Sequence, residues 1–411
     1  GGAVYEGYRQ PVSAEDIVDW DFRENPTHNQ IMPLFLSSKG RYIWSNAGFR
    51  ISFRRGEILA EGPETVVLED GFQDLRGAYL AAMKSHFPFH EIKLSDRFFQ
   101  TPVYNSWIEL TYYQTQDNIL KYAKGILENG FPAGVLMIDD GWSPYYGKWQ
   151  FRGDNFRDPK GMIRELHEMG FSVMLWICPF ITPDTVEFRE ARDKHFLIET
   201  PEGKPRILEW WNGYSAALDL TNPDAMKWLK DQLDVLMDMG VDGFRLDAVK
   251  EYVTGSVEDN VEILSWFADY VHGKDPENYL VCECWTDQNT YAQYYASGVD
   301  SMFDFTFADK SGIIANVVNG KASAASYAKN LEAEQAMYAQ YNPDYINAPF
   351  YTNHDMGRST GYYAGENSEA QTKLGNALNL LSGGNAFLYY GEELGMKGSG
   401  KDENKRAPMY W

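Results

Sequence analysis

The sequence predicts an α/β fold: a (β/α)8 TIM barrel over residues 101–411, preceded by a small β-rich domain with a linker over residues 1–100. Three observations carry this reading. From about residue 115 onward, short β-prone runs alternate with helical signals, eight runs at about 36-residue intervals. No glycine-rich phosphate loop follows the first of them, which disfavours a doubly wound open sheet. The first hundred residues instead carry short β-prone runs separated by Gly, Ser and Asn, the pattern of small antiparallel strands. With 411 residues, 44% of them hydrophobic, the chain can bury a large core without disulfides or a structural metal.

In the N-terminal part the β-prone runs are 31–36, 41–44, 49–53 and 65–68, followed by a helical stretch 71–86 and an extended segment 100–107. The predicted barrel strands are 135–139, 173–177, 216–220, 243–247, 280–285, 301–305, 350–353 and 386–390. Between the third and fourth, Asn222-Pro223-Asp224 supplies an N-cap, a proline at the first helical position and an acidic first turn. Met226, Leu229, Leu233, Leu236 and Met237 then recur at helical spacing, and Gly240 ends the helix. Only 21 residues follow Tyr390, and 397–401 is loop-like, so the tail supplies no eighth helix. The amphipathic segment 117–129, with Ile119, Leu120, Tyr122, Ala123, Ile126 and Leu127 on one side, is expected to cover the seam between strands eight and one.

Acidic residues outnumber basic ones 59 to 37, which excludes a phosphate-tracking nucleic-acid binder and disfavours anionic membrane surfaces. No run approaches the roughly 18 apolar residues of a membrane span. The opening Gly1-Gly2-Ala3-Val4-Tyr5-Glu6 lacks the regions of a signal peptide. Three cysteines, two of them one residue apart, make no disulfide framework and lean toward a reducing, cytoplasmic compartment. The calcium-loop spacing Asp-x-Asp-x-Asp-Gly is absent, and neither a metal nor a cofactor is expected.

In such a barrel the reactive groups sit at the C-terminal strand ends, where Asp139, Asp140, Asp219, Asp247, Glu283 and Asp355 fall. A single strand-end carboxylate can equally be a helix N-cap, but several converging on one face repel one another and point to chemistry. In Gly243-Phe-Arg-Leu-Asp247, period two puts Arg245 beside Asp247, a cation expected to keep a nucleophile ionised and oriented; a buried structural ion pair is the alternative. In Val281-Cys-Glu-Cys-Trp285, Val281, Glu283 and Trp285 share one face and both thiols take the other. Trp285 is then placed to help keep Glu283 protonated as an acid. Adjacent strands lie about 4.8 Å apart, and retaining glycosidases hold their carboxyl groups about 5–5.5 Å apart. Asp355 and His354, across the mouth, would grip sugar hydroxyls. Trp142, Tyr145, Tyr146, Trp149 and Trp285 suggest an aromatic mouth, with core packing as the alternative for the tryptophans.

These residues resemble two families. From about 240 to 411 the chain is similar to the α-amylase family, glycoside hydrolase family 13. The matching stretches are Gly240-Val-Asp-Gly-Phe-Arg-Leu-Asp-Ala-Val-Lys250, Glu283 in Cys-Glu-Cys-Trp, Thr352-Asn-His-Asp355, and Tyr389-Tyr-Gly-Glu-Glu-Leu-Gly-Met396 with Arg406-Ala-Pro-Met-Tyr-Trp411. The resemblance implies Asp247 as nucleophile, Glu283 as acid/base, Asp355 as transition-state stabiliser, and Arg245 and His354 as sugar-contacting support. Up to about residue 247 the chain instead resembles glycoside hydrolase family 31, through Gly134-Val-Leu-Met-Ile-Asp-Asp-Gly-Trp142, Met174-Leu-Trp-Ile-Cys-Pro-Phe180 and the stretch 211–223. That resemblance implies that Asp139 and Asp140 contact the terminal sugar and that Trp142 and Trp176 line the first subsite.

The amylase-like half lacks that family's Asp-x-x-x-Asn-His motif, and Glu251 stands where the family often has His. Together the resemblances imply a hybrid barrel, engineered rather than natural. The function they imply is a retaining α-glycosidase acting on an oligosaccharide or α-glucoside. The alternatives are a hybrid that folds with little or no catalysis, or a sugar-binding protein.

Overall fold

A computed structural model describes residues 17–21, 23, 32–54, 57–88, 95–210, 213–363 and 365–409. Its contacts divide the chain into two units, Gly1–Ile92 and Lys93–Trp411. The first holds two three-stranded antiparallel sheets: Ile17–Asp21, Arg50–Arg54 and Glu57–Glu61 in one, Leu34–Ser37, Arg41–Trp44 and Val67–Glu69 in the other. Ile43, Phe49 and Ile51 form its core, packed by Phe35, Phe53 and Val66. Strand Glu57–Glu61 was not legible in the sequence, because four of its five residues are exposed and the run shows no buried face. The helix spans Leu75–His86 rather than starting at 71. Gly71 (φ 89°) and Gln73 (φ 61°) turn the chain through left-handed conformations first, and Asp74 then caps the helix by accepting from the Gly77 amide.

The second unit is the (β/α)8 barrel. Seven parallel strands pair in sequence order: Val103–Asn105, Val135–Ile138, Ser172–Ile177, Gly243–Leu246, Tyr279–Cys282, Ser301–Asp304 and Ile346–Pro349. A parallel bridge between Phe350 and Phe387 marks the eighth position. Three strand assignments change, the seventh strand being Ile346–Pro349 and so ending just ahead of the predicted 350–353. Val103–Asn105, read as merely extended, is the first barrel strand. The run 216–220 is not a barrel strand: Gly213–Ala217 pairs antiparallel with Phe180–Ile181 and Ile207–Trp210, an excursion between the third and fourth strands. The seam-covering role of 117–129 falls with them. With a strand ahead of it, helix Gln116–Glu128 is the ordinary first crossover, burying Ile119, Ala123 and Ile126.

Period two sorts the strand residues. Val135, Met137, Met174, Tyr279 and Val281 fill the barrel interior with Phe98, whose ring lies 5.4 Å from Tyr279. Leu136, Ile138, Val173, Leu175, Phe244, Leu246 and Leu280 face the helices. Cys282 and Cys284 join them as buried free thiols, on the face opposite Glu283 as expected. Where strands four and six begin, a carboxylate ties a neighbouring strand to a helix end. Asp242 accepts from the Val173 amide at 2.7 Å and meets His167 Nε2 at 2.8 Å; Asp300 accepts from the Leu280 amide at 2.8 Å and meets His272 Nε2 at 3.0 Å. Among the described residues no helix is long and apolar enough to cross a membrane.

Candidate active site

Strand register brings the central residues together. Leu246 pairs with Cys282, and the ladder runs on through the Glu283 amide, which donates to the Leu246 carbonyl at 2.9 Å. Asp247 and Glu283 are thus the next residues on adjacent strands. The Asp247 amide donates to Ile177 O at 3.1 Å, tying the same end to the third strand.

Arg245, only 7% exposed, sits at the centre. Its Nη2 donates to Asp247 Oδ1 at 3.0 Å and Glu283 Oε2 at 3.2 Å, and its Nη1 to Asp139 Oδ2 at 3.2 Å. Two oxygens bonded to one nitrogen can be no farther apart than those two distances added together. This brings the Asp247 and Glu283 carboxyl groups into close range. Burial and the Glu283 carboxylate push Asp247 well above the usual carboxylate range, against the pull of Arg245. Arg245 was expected to hold Asp247 as an anion on its own; it is instead shared with Glu283 and Asp139, and its pull on Asp247 is outweighed by desolvation and the neighbouring carboxylate.

Asp139 and Asp140 follow the second strand. Asp139 Oδ2 also accepts from Asn105 Nδ2 at 2.6 Å, its Oδ1 accepts from the Asp140 amide at 2.9 Å, and its own amide donates to Ser106 Oγ at 2.9 Å. Asp140 Oδ2 accepts from the Tyr146 hydroxyl at 3.0 Å; burial pushes this carboxyl up to about 7, with that hydrogen bond acting against it. On the far side Asp355 is held by His354 Nε2 at 3.2 Å and Arg406 Nη2 at 3.0 Å. Burial keeps the His354 imidazole below its usual range, opposed by Asp355. Asp219 stands apart, its carboxylate accepting from the Thr221 amide and hydroxyl in a local turn.

The aromatic mouth does not form as expected. Trp142 is 2% exposed, and its indole N–H donates to the Trp176 carbonyl at 2.8 Å, so it belongs to the core between sheet and helices. Trp149 is likewise buried, donating to Cys178 O. Trp176 packs with Tyr146, Cys178 and Phe180 and is also buried. This packing leaves Trp142 almost no surface to offer a subsite. Trp285, 48% exposed, stacks on Phe305 with centroids 4.6 Å apart and presents an open aromatic face. Among the described residues no group of three or more His, Cys, Asp or Glu is arranged to hold a metal. Asn105, Ser106 and Arg406 escaped the sequence reading. The first two would have followed from recognising 103–105 as a strand, since both lie at its C-terminal end; Arg406 reaches Asp355 from the tail and carries no local signal.

Residues 103–304 match the glycosyl hydrolases family 31 TIM-barrel domain, and residues 208–411 the alpha amylase catalytic domain. Alpha-xylosidase XylQ of Lactiplantibacillus pentosus is 30% identical over 226 residues, 53% of this chain and 29% of that protein. Alpha-amylase 3 of Dictyoglomus thermophilum is 29% identical over 273 residues, 62% of this chain and 53% of that protein. The chain thus spans about half the length, or less, of these curated relatives. Among solved structures, Eubacterium rectale Amy13B superposes with a TM-score of 0.62 at 29% identity, covering 75% of this chain and 69% of that one. The Trp211–Asn212 and Tyr410–Trp411 ends of two resembling stretches lie outside the described residues. The chain joins a barrel half resembling glycoside hydrolase family 31 to one resembling the α-amylase family, and the overlap of the two matches holds both Asp247 and Glu283.

Proposed function

We propose that the chain is a retaining α-glycosidase acting on α-glucosidic bonds of oligosaccharides or α-glucosides. The single observation that carries this reading is the Asp247–Glu283 pair: two carboxyl groups on adjacent strand ends, both accepting from Arg245 Nη2. A retaining mechanism needs one ionised and one protonated carboxyl at close range. Asp247, the more deeply buried and tied to Arg245, would attack the anomeric carbon, while Glu283 protonates the leaving oxygen. Glu283 would then take a proton from water as that water hydrolyses the glycosyl-enzyme. Asp355 and His354 would hold sugar hydroxyls, and Trp285 offers its open face to a ring. This chemistry is assigned to residues 101–411, with 1–100 as an accessory β-rich domain.

The rival reading is an engineered hybrid that folds with little or no catalysis. Turnover of an aryl α-glucoside separates the two. Wild-type protein is expected to release the aryl alcohol with retained anomeric configuration, Asp247→Ala to show no turnover, and Glu283→Ala to lose about 10²–10⁴-fold. Absent wild-type turnover, or turnover indifferent to Asp247→Ala, would overturn the proposal.

A further inference from the structure

We propose that Asp139 and Asn105 are positioning residues: Asn105 fixes Asp139, and Asp139 holds one branch of the Arg245 guanidinium so that the other branch is shared between Asp247 and Glu283. The proposal rests on the reading of that pair as the reacting groups, and it gives Asp139 a role different from the sugar contact that resemblance implies.

The geometry is a relay across four strands. Asn105, at the end of the first strand, is itself fixed by accepting from the Trp107 amide at 2.7 Å, and it donates to Asp139 Oδ2 at 2.6 Å. The same oxygen accepts from Arg245 Nη1 at 3.2 Å, while Oδ1 takes the Asp140 amide. With three donors and almost no exposed surface, Asp139 has little acceptor capacity left for a ligand. Among the described residues Arg245 Nε has no hydrogen-bond partner, so the two Nη atoms make all the bonds of this buried cation. A guanidinium is planar, and fixing Nη1 therefore fixes where Nη2 points. Released from Asp139, the fork could turn both nitrogens onto Asp247, the bidentate arrangement that carboxylates favour. That would favour the Asp247 anion and end the sharing of Nη2 between Asp247 and Glu283.

The charges around the pair act in the same direction. Asp139, Asp140, Tyr146, Cys178 and Tyr252 all surround Asp247, and Arg245 is the cation among them. His354 and Asp355 reach Arg245 from the opposite side. Loss of the Asp139 charge removes a repulsion that favours keeping the proton. An asparagine there retains the shape but cannot accept from Asn105, Arg245 and the Asp140 amide at once, because one of its two positions is a donor.

The test is Asp139→Asn in the full chain, with Asn105→Ala as a milder second variant. The expected result is a kcat loss of about 10²-fold, KM within about twofold, and an alkaline limb of kcat/KM displaced to lower pH. Asn105→Ala should show the same signs at smaller amplitude. A raised KM with kcat and pH limb unmoved would instead make Asp139 a sugar contact and overturn the proposal. A second readout needs no turnover: an infrared difference titration of the Asp247 carboxyl, assigned with Asp247→Asn. That titration should move to lower pH in Asp139→Asn, and an unmoved titration overturns the proposal. If the wild type turns over no glycoside, the proposed function fails, while the titration still decides this one.

Discussion

At Arg245 one positive charge serves three carboxylates, two of them buried and Glu283 part-buried, so none of them receives the full stabilisation of a dedicated ion pair. Burial and the neighbouring Glu283 carboxylate then raise Asp247 against the pull of Arg245, the opposite of what a simple pairing argument gives. Trp142 carries the complementary lesson. A tryptophan at a strand end can line a subsite or complete a core, and its buried N–H bond to Trp176 O shows the second. Trp142→Phe should therefore cost about 1–3 kcal/mol in urea denaturation, from the orphaned carbonyl and the lost volume, with KM for a glycoside unchanged. A KM rise without destabilisation would restore the subsite reading. Residue-scale chemistry was legible where period two applies, as for Arg245 with Asp247 and for Glu283 against its flanking cysteines. It was not legible for Arg406 or Asn105, whose partners lie 51 and 34 residues away.

Among the elements, strand Ser301–Asp304 shows what alternation builds on both sides of a barrel wall. Phe303 lies inward, its ring 5.9 Å from the Arg245 guanidinium, whereas Asp304 is buried and accepts from Asn347 Nδ2 at 2.7 Å and the Tyr338 hydroxyl at 3.0 Å. Glu334, on helix Ala324–Tyr341, lies 2.9 Å from that same hydroxyl and accepts from Gln288 at 2.5 Å. A phenol has one proton to donate, so it cannot satisfy two anions. Burial, reinforced by Asp304, pushes Glu334 up to about 8. The sign follows from linkage. The folded state binds the proton more tightly, so this stabilisation is full below about pH 4.5 and is lost as pH rises through about 8. Glu334→Gln, whose amide can donate to Tyr338 in place of the acid proton, should flatten that decline and stabilise by about 1–3 kcal/mol above pH 8. Chemical denaturation across pH 5–9 checks it, and an unchanged slope in the variant would refute the protonated acid. None of this was visible in the sequence, where helix 324–341 carries Glu334 with no sign that its face is buried.

For the whole molecule, two tie points fasten helix ends to strand starts, His167 with Asp242 and His272 with Asp300. The hydrogen bond that His167 donates to Asp242 raises the imidazole, opposed by burial and Arg97; that from His272 to Asp300 does the same, opposed by burial and aided by Asp269. Raised histidines stabilise fully below their unfolded value near 6.5, and the contribution is lost as pH rises through the folded values. Both imidazoles are partly exposed, so solvent screening keeps the effect modest. Thermal unfolding should show a decline above about pH 6.5 that His167→Gln and His272→Gln each reduce; a decline identical in both variants would place its origin elsewhere. The sequence by itself determined the barrel class, most of its strands and the Arg245, Asp247 and Glu283 core, because alternation and strand-end position are local properties. Only the tertiary structure decided which strand is first, that 213–217 leaves the barrel, that Trp142 is core, and that Asp139 meets Arg245. Those outcomes depend on which segments pair and pack across more than a hundred residues, and no local pattern encodes that choice.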